Sequence, residues 1–297
     1  MNSLICRTLV VLALIVAPAL AQAEPAPQVS VQALRGPLQL LQGKGGNVVA
    51  SVGRDGILLV DSDYPEMRAA YESVVSEFAE ASLMPGFVIN THWHFDHTGN
   101  NEFWAGRGAI VLAHENVRAR MAAGQRIDAL DMQVEASPPI ALPIITFDDS
   151  LALHFNGDTI EVKHYPAGHT DGDSVVFYAQ ENVVHTGDLF FKDRYPFIDL
   201  SSGGSIAGYI NNVEAILARI DDDTLVVPGH GNIATRADLE RFLGMLQSTT
   251  TAVQGALDKG MSVEEITALT LGAKWAAWGK GFIDEPAWIA TIAADYQ

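Results

Sequence analysis

Three imidazoles and a carboxylate fall within six residues at His92-Trp93-His94-Phe95-Asp96-His97. The cluster follows Phe87-Val88-Ile89, a short apolar run that reads as a buried strand. A tight loop at that strand's exit would turn all four groups toward one cavity. Further donors stand beside glycine at Gly168-His169, Gly187-Asp188 and Gly229-His230. Glycine lets the backbone turn sharply, so each side chain can be delivered to one sheet edge. A lone histidine, or a lone aspartate after glycine, says little. Together these positions supply five histidines and two aspartates, enough for two metal ions held by nitrogen and oxygen. Zinc is the default for that donor set, and iron or manganese also accepts it.

The elements that must position these groups are legible as short segments. Strands are expected at Val29 to Leu34, Leu38 to Gln42, Asn47 to Val52 and Ile57 to Asp61, punctuated by Gly43, Gly45, Gly46 and Asp55-Gly56. Pro65 opens a helix with Met67, Tyr71, Val74, Val75 and Phe78 at helical spacing. Ala109 to Leu112 reads as a strand and Glu115 to Ala123 as a helix. Strands return at Ile144 to Phe147, Leu151 to Phe155, Thr159 to His164, Ser174 to Tyr178 and Asn182 to His185, with Asn156-Gly157 as a hairpin turn. Asp188 to Gly204 has little periodicity. Helix is expected from Ile206 to Ile220 and again from about Ala237, separated by a strand at Leu225 to Val227. The layering implied is an α/β four-layer sandwich, with helices outside two mixed β-sheets.

Composition narrows the partners. The 297 residues carry 18 Lys plus Arg against 36 Asp plus Glu, a formal net charge of −18. Neither a nucleic-acid groove nor an anionic membrane surface suits that balance, so a small-molecule substrate is expected, with oligomeric state left open. Near the start, Arg7 is the only charge before the apolar run Leu9 to Ala17. Ala19-Leu20-Ala21 and Ala21-Gln22-Ala23 then offer small-residue cleavage sites. Residues 1–23 therefore read as a signal peptide cut near Ala21 or Ala23, with 24–297 as a single exported domain, periplasmic or secreted. The only cysteine, Cys6, goes with the leader, so the mature chain has no thiolate ligand, disulfide or catalytic thiol.

At these motifs the sequence resembles the metallo-β-lactamase superfamily over nearly the whole mature chain. HxHxDH stands at 92 to 97, and the later His, Asp and His follow in order at 169, 188 and 230. The resemblance implies an αββα sandwich and two zinc ions. His92, His94 and His169 would hold the first, Asp96, His97 and His230 the second, and Asp188 would bridge them. Asp61 matches the family's first aspartate motif, a supporting residue that does not bind metal; it or a backbone carbonyl would fix the imidazole tautomers. The implied chemistry is attack of a metal-bridged hydroxide on the carbonyl of a small ester, lactone or β-lactam, with Asp96 also orienting that hydroxide.

Details within the family pull apart. Export resembles true metallo-β-lactamases, yet one lactamase subclass has cysteine and another serine where this chain has Asp188. Aspartate there is similar to glyoxalase II and to lactone-cleaving hydrolases; glyoxalase II also needs a C-terminal helical domain and works inside cells. A periplasmic β-lactamase is one alternative, and a non-catalytic binding or regulatory protein on the same fold is another. Around the metals, Lys192 or Arg194 is expected to hold a substrate carboxylate. Trp93 and Phe95 either line the pocket or pack beneath it, and the Gly-rich tip from Gln42 to Asn47 is expected to act as a mobile flap. Trp275, Trp278, Phe282 and Trp288 read as docking residues. His114, His154, His164 and His185 are expected to be structural.

Overall fold

The computed structural model describes residues 27–78, 84–268 and 270–296. The leader expected over 1–23, Cys6 included, lies outside the described residues. The first half of the chain provides β1 (Ser30–Ala33), β2 (Leu38–Gln42), β3 (Val48–Gly53), β4 (Gly56–Val60), β5 (Phe87–Ile89), β6 (Ile110–His114), β7 (Gln125–Ile127), β8 (Met132–Val134) and β9 (Ile145–Phe147). The second provides β10 (Ser150–Phe155), β11 (Asp158–His164), β12 (Ser174–Tyr178), β13 (Val183–His185), β14 (Leu225–Val227) and β15 (Ala234–Thr235). Helices are α1 (Arg68–Phe78), α2 (Phe95–Thr98), α3 (Asn101–Ala105), α4 (Glu115–Ala123), α5 (Ile206–Leu217), α6 (Arg236–Leu257), α7 (Val263–Thr267) and α8 (Glu285–Asp295).

One sheet runs β1-β2-β3-β4-β5-β6-β9 and the other β10-β11-β12-β13-β14-β15. Each mixes parallel and antiparallel pairs: β4 lies parallel to β5, and β13 to β14, while the meanders are antiparallel. Alternation along the strands decides the layers, because successive side chains point to opposite faces. Leu58 and Val60 of β4 face the second sheet's Val162, Val176 and Val227 across a shared core. Ile57 and Leu59 face outward to Tyr71 and Val75 of α1. On the far side, Val175, Val184 and Val226 meet Tyr209, Phe242 and Trp288 of α5, α6 and α8. Both sheets are therefore covered twice, which explains why their inner strands read as continuous apolar runs. Burying each such side chain contributes about 1.5–3 kcal/mol.

Local chemistry explains the turns and helix starts. Asn156 and Gly157 both take positive φ, 51° and 84°, as a two-residue hairpin of the primed type requires. A Thr235–Asp238 capping box starts α6. The structure adds the β7–β8 hairpin, where no strand is expected from the sequence. Its strands are only three residues long and carry too little alternation to register. The helix expected to reach Ile220 ends at Leu217, where Ala218 caps it. No helix among the described residues is long and apolar enough to cross a membrane.

Candidate metal centre

The donor motifs lie at the C-terminal ends of strands in both sheets. His92 to His97 follow β5 and run into α2, His169 sits in the β11–β12 connection, and Asp188 follows β13. His230 follows β14. These ends meet at one edge of the sandwich. Atoms of His92, His94 and His169 lie within 4.8 Å of one another, as do those of Asp96, His97 and His230, and those of His92, His97 and Asp188. Asp188 reaches both sides: its Oδ1 is 3.2 Å from His97 Nε2, and its Oδ2 is 3.5 Å from the Nε2 atoms of both His169 and His230.

Each of four buried histidines spends one ring nitrogen on the protein and turns the other to the centre. His97 Nδ1 donates to Asp61 Oδ2 at 2.7 Å, and His169 Nδ1 donates to the Phe197 carbonyl at 2.7 Å. His92 Nδ1 donates to Thr91 Oγ1 at 3.0 Å; that hydroxyl in turn donates to Asp61. His94 is the exception in kind: its Nε2 donates to Asp199 Oδ2 at 3.1 Å, which leaves Nδ1 facing inward. His94 Nδ1 and His169 Nε2 are 2.8 Å apart. Lone pairs so close, on two buried rings, fit a shared cation. The buried His92 Nε2 and Asp188 Oδ1 have no hydrogen-bond partner, which such an ion would also satisfy. The residues present therefore fit metal, and both kinds of tautomer-setting acceptor expected, a carboxylate and a backbone carbonyl, occur.

Electrostatics divide the donors. Burial pushes the His92 imidazole well below its ordinary range and His169 down to about 4. Burial is the largest single influence and opposes protonation of His97 and His230 too, but the charges and hydrogen bonds of Asp188 and Asp96, joined by Asp61 at His97, together outweigh it, raising His97 well above its ordinary value and His230 to about 9. Burial would raise Asp96 and Asp188; neighbouring imidazolium charge prevails, holding Asp96 at about 2 and Asp188 well below the carboxylate range.

The sequence profile of the metallo-beta-lactamase superfamily matches residues 42–230, a span that holds every donor above. The chain belongs to that superfamily. Members of this superfamily are metal-dependent hydrolases. An uncharacterized protein of Mycobacterium leprae is 32% identical over 184 residues, covering 57% of this chain and 79% of its own. The hydroxyacylglutathione hydrolase of a Polaromonas species is 31% identical over 149 residues, 49% of this chain and 48% of its own length. Among solved structures, a metallo-beta-lactamase from Pontibacter korlensis superposes with TM-score 0.60 at 18% identity, over 74% of this chain and 99% of that one. A sec-alkyl sulfatase double mutant gives TM-score 0.67 at 14% identity, over 90% of this chain and 50% of that one. Likeness at such identities is one of fold, and the sandwich of this superfamily is the α/β layering described above.

Other expected site residues fall in different places. Lys192 turns away: its Nζ donates to the Ile233 carbonyl at 2.7 Å and pairs with Asp238 at 3.2 Å. Arg194 stays, lining a cavity of about 240 Å³ with His94, Asp96 and His230. Trp93 packs beneath the centre in the core, whereas Phe95 lines the cavity. Trp275, Trp278 and Trp288 are core residues; Phe282, 69% exposed, lines the cavity instead of docking. The Gln42–Asn47 tip is tethered and does not form a free flap. Lys44 and Gly45 amides donate to Asp63, and the Gly46 amide donates to the Asp96 carbonyl. A Cβ on Gly46 would come within 2.2 Å of the His97 ring. His114 caps α4 and stacks on His164 at 3.6 Å, and His185 is held by Asn47 and Gly187, all structural duties.

Sequence reasoning missed Asp199 and Asp173. Asp199 holds His94 and also accepts from Ser201 and the Ser202 amide; the His94 bond first, then those two, keep its carboxyl low against the pull of burial. Asp173 accepts from the His169 amide at 2.6 Å and from the Thr170 amide and hydroxyl, fixing the loop that carries His169. The available signal was an aspartate three residues before Ser202 in an aperiodic stretch, the spacing of a capping turn.

Proposed function

We propose that this superfamily hydrolase is an exported, dinuclear zinc enzyme acting on the carbonyl of a small ester, lactone or β-lactam. The observation that supports this most directly is the pair of three-donor groups converging on Asp188. His92, His94 and His169 would hold one ion, Asp96, His97 and His230 the other, with Asp188 reaching both. Bound there, two zinc ions would lower the pKa of water and draw electron density from a carbonyl oxygen. The chain's own groups do the rest. Asp61, Thr91, Phe197 and Asp199 hold the imidazoles in one orientation. Asp96 lines the cavity as an ionised carboxylate, placed to accept a proton from water.

Hydrolysis consumes one water. Its oxygen bonds to the carbonyl carbon, the carbonyl–heteroatom bond breaks, and the leaving oxygen or nitrogen takes the proton that Asp96 received. The cavity sets the scale of the substrate, since about 150 Å³ of apolar space admits benzene. A ring-sized body fits the cavity of about 240 Å³. The Polaromonas relative's name supports a second reading, in which the carbonyl belongs to an acylglutathione.

The deciding test is hydrolysis of a chromogenic β-lactam by protein shown to contain two zinc ions, against a chelated control. Chelator-sensitive turnover with kcat/KM at or above about 10⁴ M⁻¹s⁻¹ makes lactam cleavage the main role. No turnover by the fully loaded protein rejects that role and moves the substrate to lactones, esters and thioesters.

A further inference from the structure

The reactive cavity adjoins a larger hollow. Leu130, Phe197 and Ile283 line the 240 Å³ cavity with His94, Asp96 and His230, and the same three side chains border a second space of about 600 Å³. They form an apolar rim between the two. One side of the hollow is the turn between β7 and β8, and another is the segment from Ile198 to Ser201. The third is one face of α8, made by Ala287, Ala290, Thr291 and Ala294. Their i, i+3, i+4 and i+7 spacing carries the hollow along the helix for about 10 Å. The three alanines are exposed, so they supply apolar surface without filling the space.

The polar groups of the hollow say what kind of ligand suits it. Four polar side chains line it, and each already has a protein partner. Asp199 accepts from His94 and from Ser201. Ser201 also accepts from the Asp128 amide at 3.2 Å, and the Asp128 carboxylate accepts from Arg126 at 2.9 Å. Thr291 donates to the Ala287 carbonyl at 2.9 Å. A polar ligand would have to compete with these bonds for every contact, and any group left unmatched costs its hydration. An apolar ligand needs none of them, because burial of apolar surface is non-directional.

We infer that the substrate carries an extended apolar tail, its carbonyl over the metal centre and its tail passing between Leu130, Phe197 and Ile283 into the hollow along α8. This rests on the hydrolase reading above and deepens it: the small head reacts and the tail selects. Ile283 and α8 lie beyond the superfamily-matched span of 42–230, whereas every donor lies within it. Ile283 stands just before α8, so the tail enters at the Ala287 end and its length is read toward Ala294.

The test uses the zinc-loaded full chain and the 4-nitrophenyl esters of acetic, butyric, hexanoic, octanoic and decanoic acids, each below its micellar concentration. Once the tail passes the rim, kcat/KM should rise by up to about fourfold for each methylene buried. Three variants on the exposed face of α8, Ala287→Phe, Ala290→Phe and Ala294→Phe, place a ring at successive points along the hollow. With kcat/KM for each ester taken relative to acetate in the same variant, the rise should stop at the shortest tail in Ala287→Phe and at the longest in Ala294→Phe. Thermal melting and elemental analysis confirm that the variants are folded and loaded; a purely structural role for α8 would not grade the cut-off by position. A flat series in the unaltered protein, or a rise unmoved in all three variants, overturns this inference alone. So does a dimer, seen by light scattering, that Ala290→Phe dissociates without moving the series, which makes the hollow an interface between copies. No chelator-sensitive turnover of any ester by zinc-loaded protein overturns the ester reading together with it.

Discussion

The floor and the walls of the cleft are built in opposite ways. On the floor, five of the seven donors are buried and Asp96 and His230 are half-buried, and four of the histidines are tied to the protein through one ring nitrogen. On the walls, Leu130 sits half-buried in the turn between β7 and β8, and Phe282 stands in a C-terminal turn with most of its surface in solvent. The difference teaches where rigidity is needed. Metal donors must be fixed to within fractions of an ångström, because a misplaced ligand costs affinity. A wall needs only shape and charge, and can vary without disturbing the floor. Substitutions should therefore separate into floor effects on metal and stability, and wall effects on KM.

The largest effect is expected at Asp188, which lies between both donor groups. Asp188→Asn should lower kcat/KM by roughly a thousandfold or more, with zinc content per chain falling below two by elemental analysis. Retained activity at two zinc ions would remove Asp188 from the centre. Asp61 comes next, since it is buried, accepts from Thr91 twice, and accepts from His97. Replacing it by alanine leaves those donors unpaired, at a cost of about 3–5 kcal/mol in denaturant unfolding, and should weaken zinc binding about 10–100-fold. Gly46→Ala probes the floor sterically. Its Cβ would collide with the His97 ring, so a loss of about 1–3 kcal/mol is expected. Unaltered stability there would show that the Gln42–Asn47 tip moves freely after all.

A pH series sharpens the same contrast. In metal-free protein the His230 pKa is raised to about 9 from 6.5. A raised histidine adds stability that is fully present below pH 6.5 and lost as pH climbs through 9. His169, lowered to about 4, does the reverse: its contribution is present above pH 6.5 and disappears as pH falls toward 4. Metal-free protein should thus melt at the highest temperature near pH 6.5 and lose stability toward pH 9. Zinc-loaded protein, with the proton of His230 displaced, should not follow that alkaline decline; parallel curves would contradict the assignment of His230. The smallest effect is expected at the wall. Phe282→Ala should change stability by no more than about 0.5 kcal/mol while raising KM several-fold. An effect on zinc content instead would mean that wall and floor are not separate.

The seven donors, the α/β layering and most strand boundaries were readable along the chain, because each is a local signal. Phe87–Ile89, Ser174–Tyr178 and Leu225–Val227 stand where their apolar runs place them, and a histidine motif is written in consecutive residues. Turn chemistry was equally local at Asn156-Gly157.

Other roles depended on which distant residue lay alongside. Lys192 and Arg194 are two positions apart and looked equivalent, but only the fold brings Asp238 to one of them and the cavity to the other. Phe282 resembles its tryptophan neighbours by type, and only packing sends them to the core and it to the cleft. Asp199 is 105 residues from His94, a contact that no periodicity encodes. The sequence by itself determined which atoms could bind metal and which elements carry them. The tertiary structure decided which ring nitrogen each histidine turns inward, which cation lines the cavity and what walls the cleft, because those depend on contacts between segments that are remote along the chain.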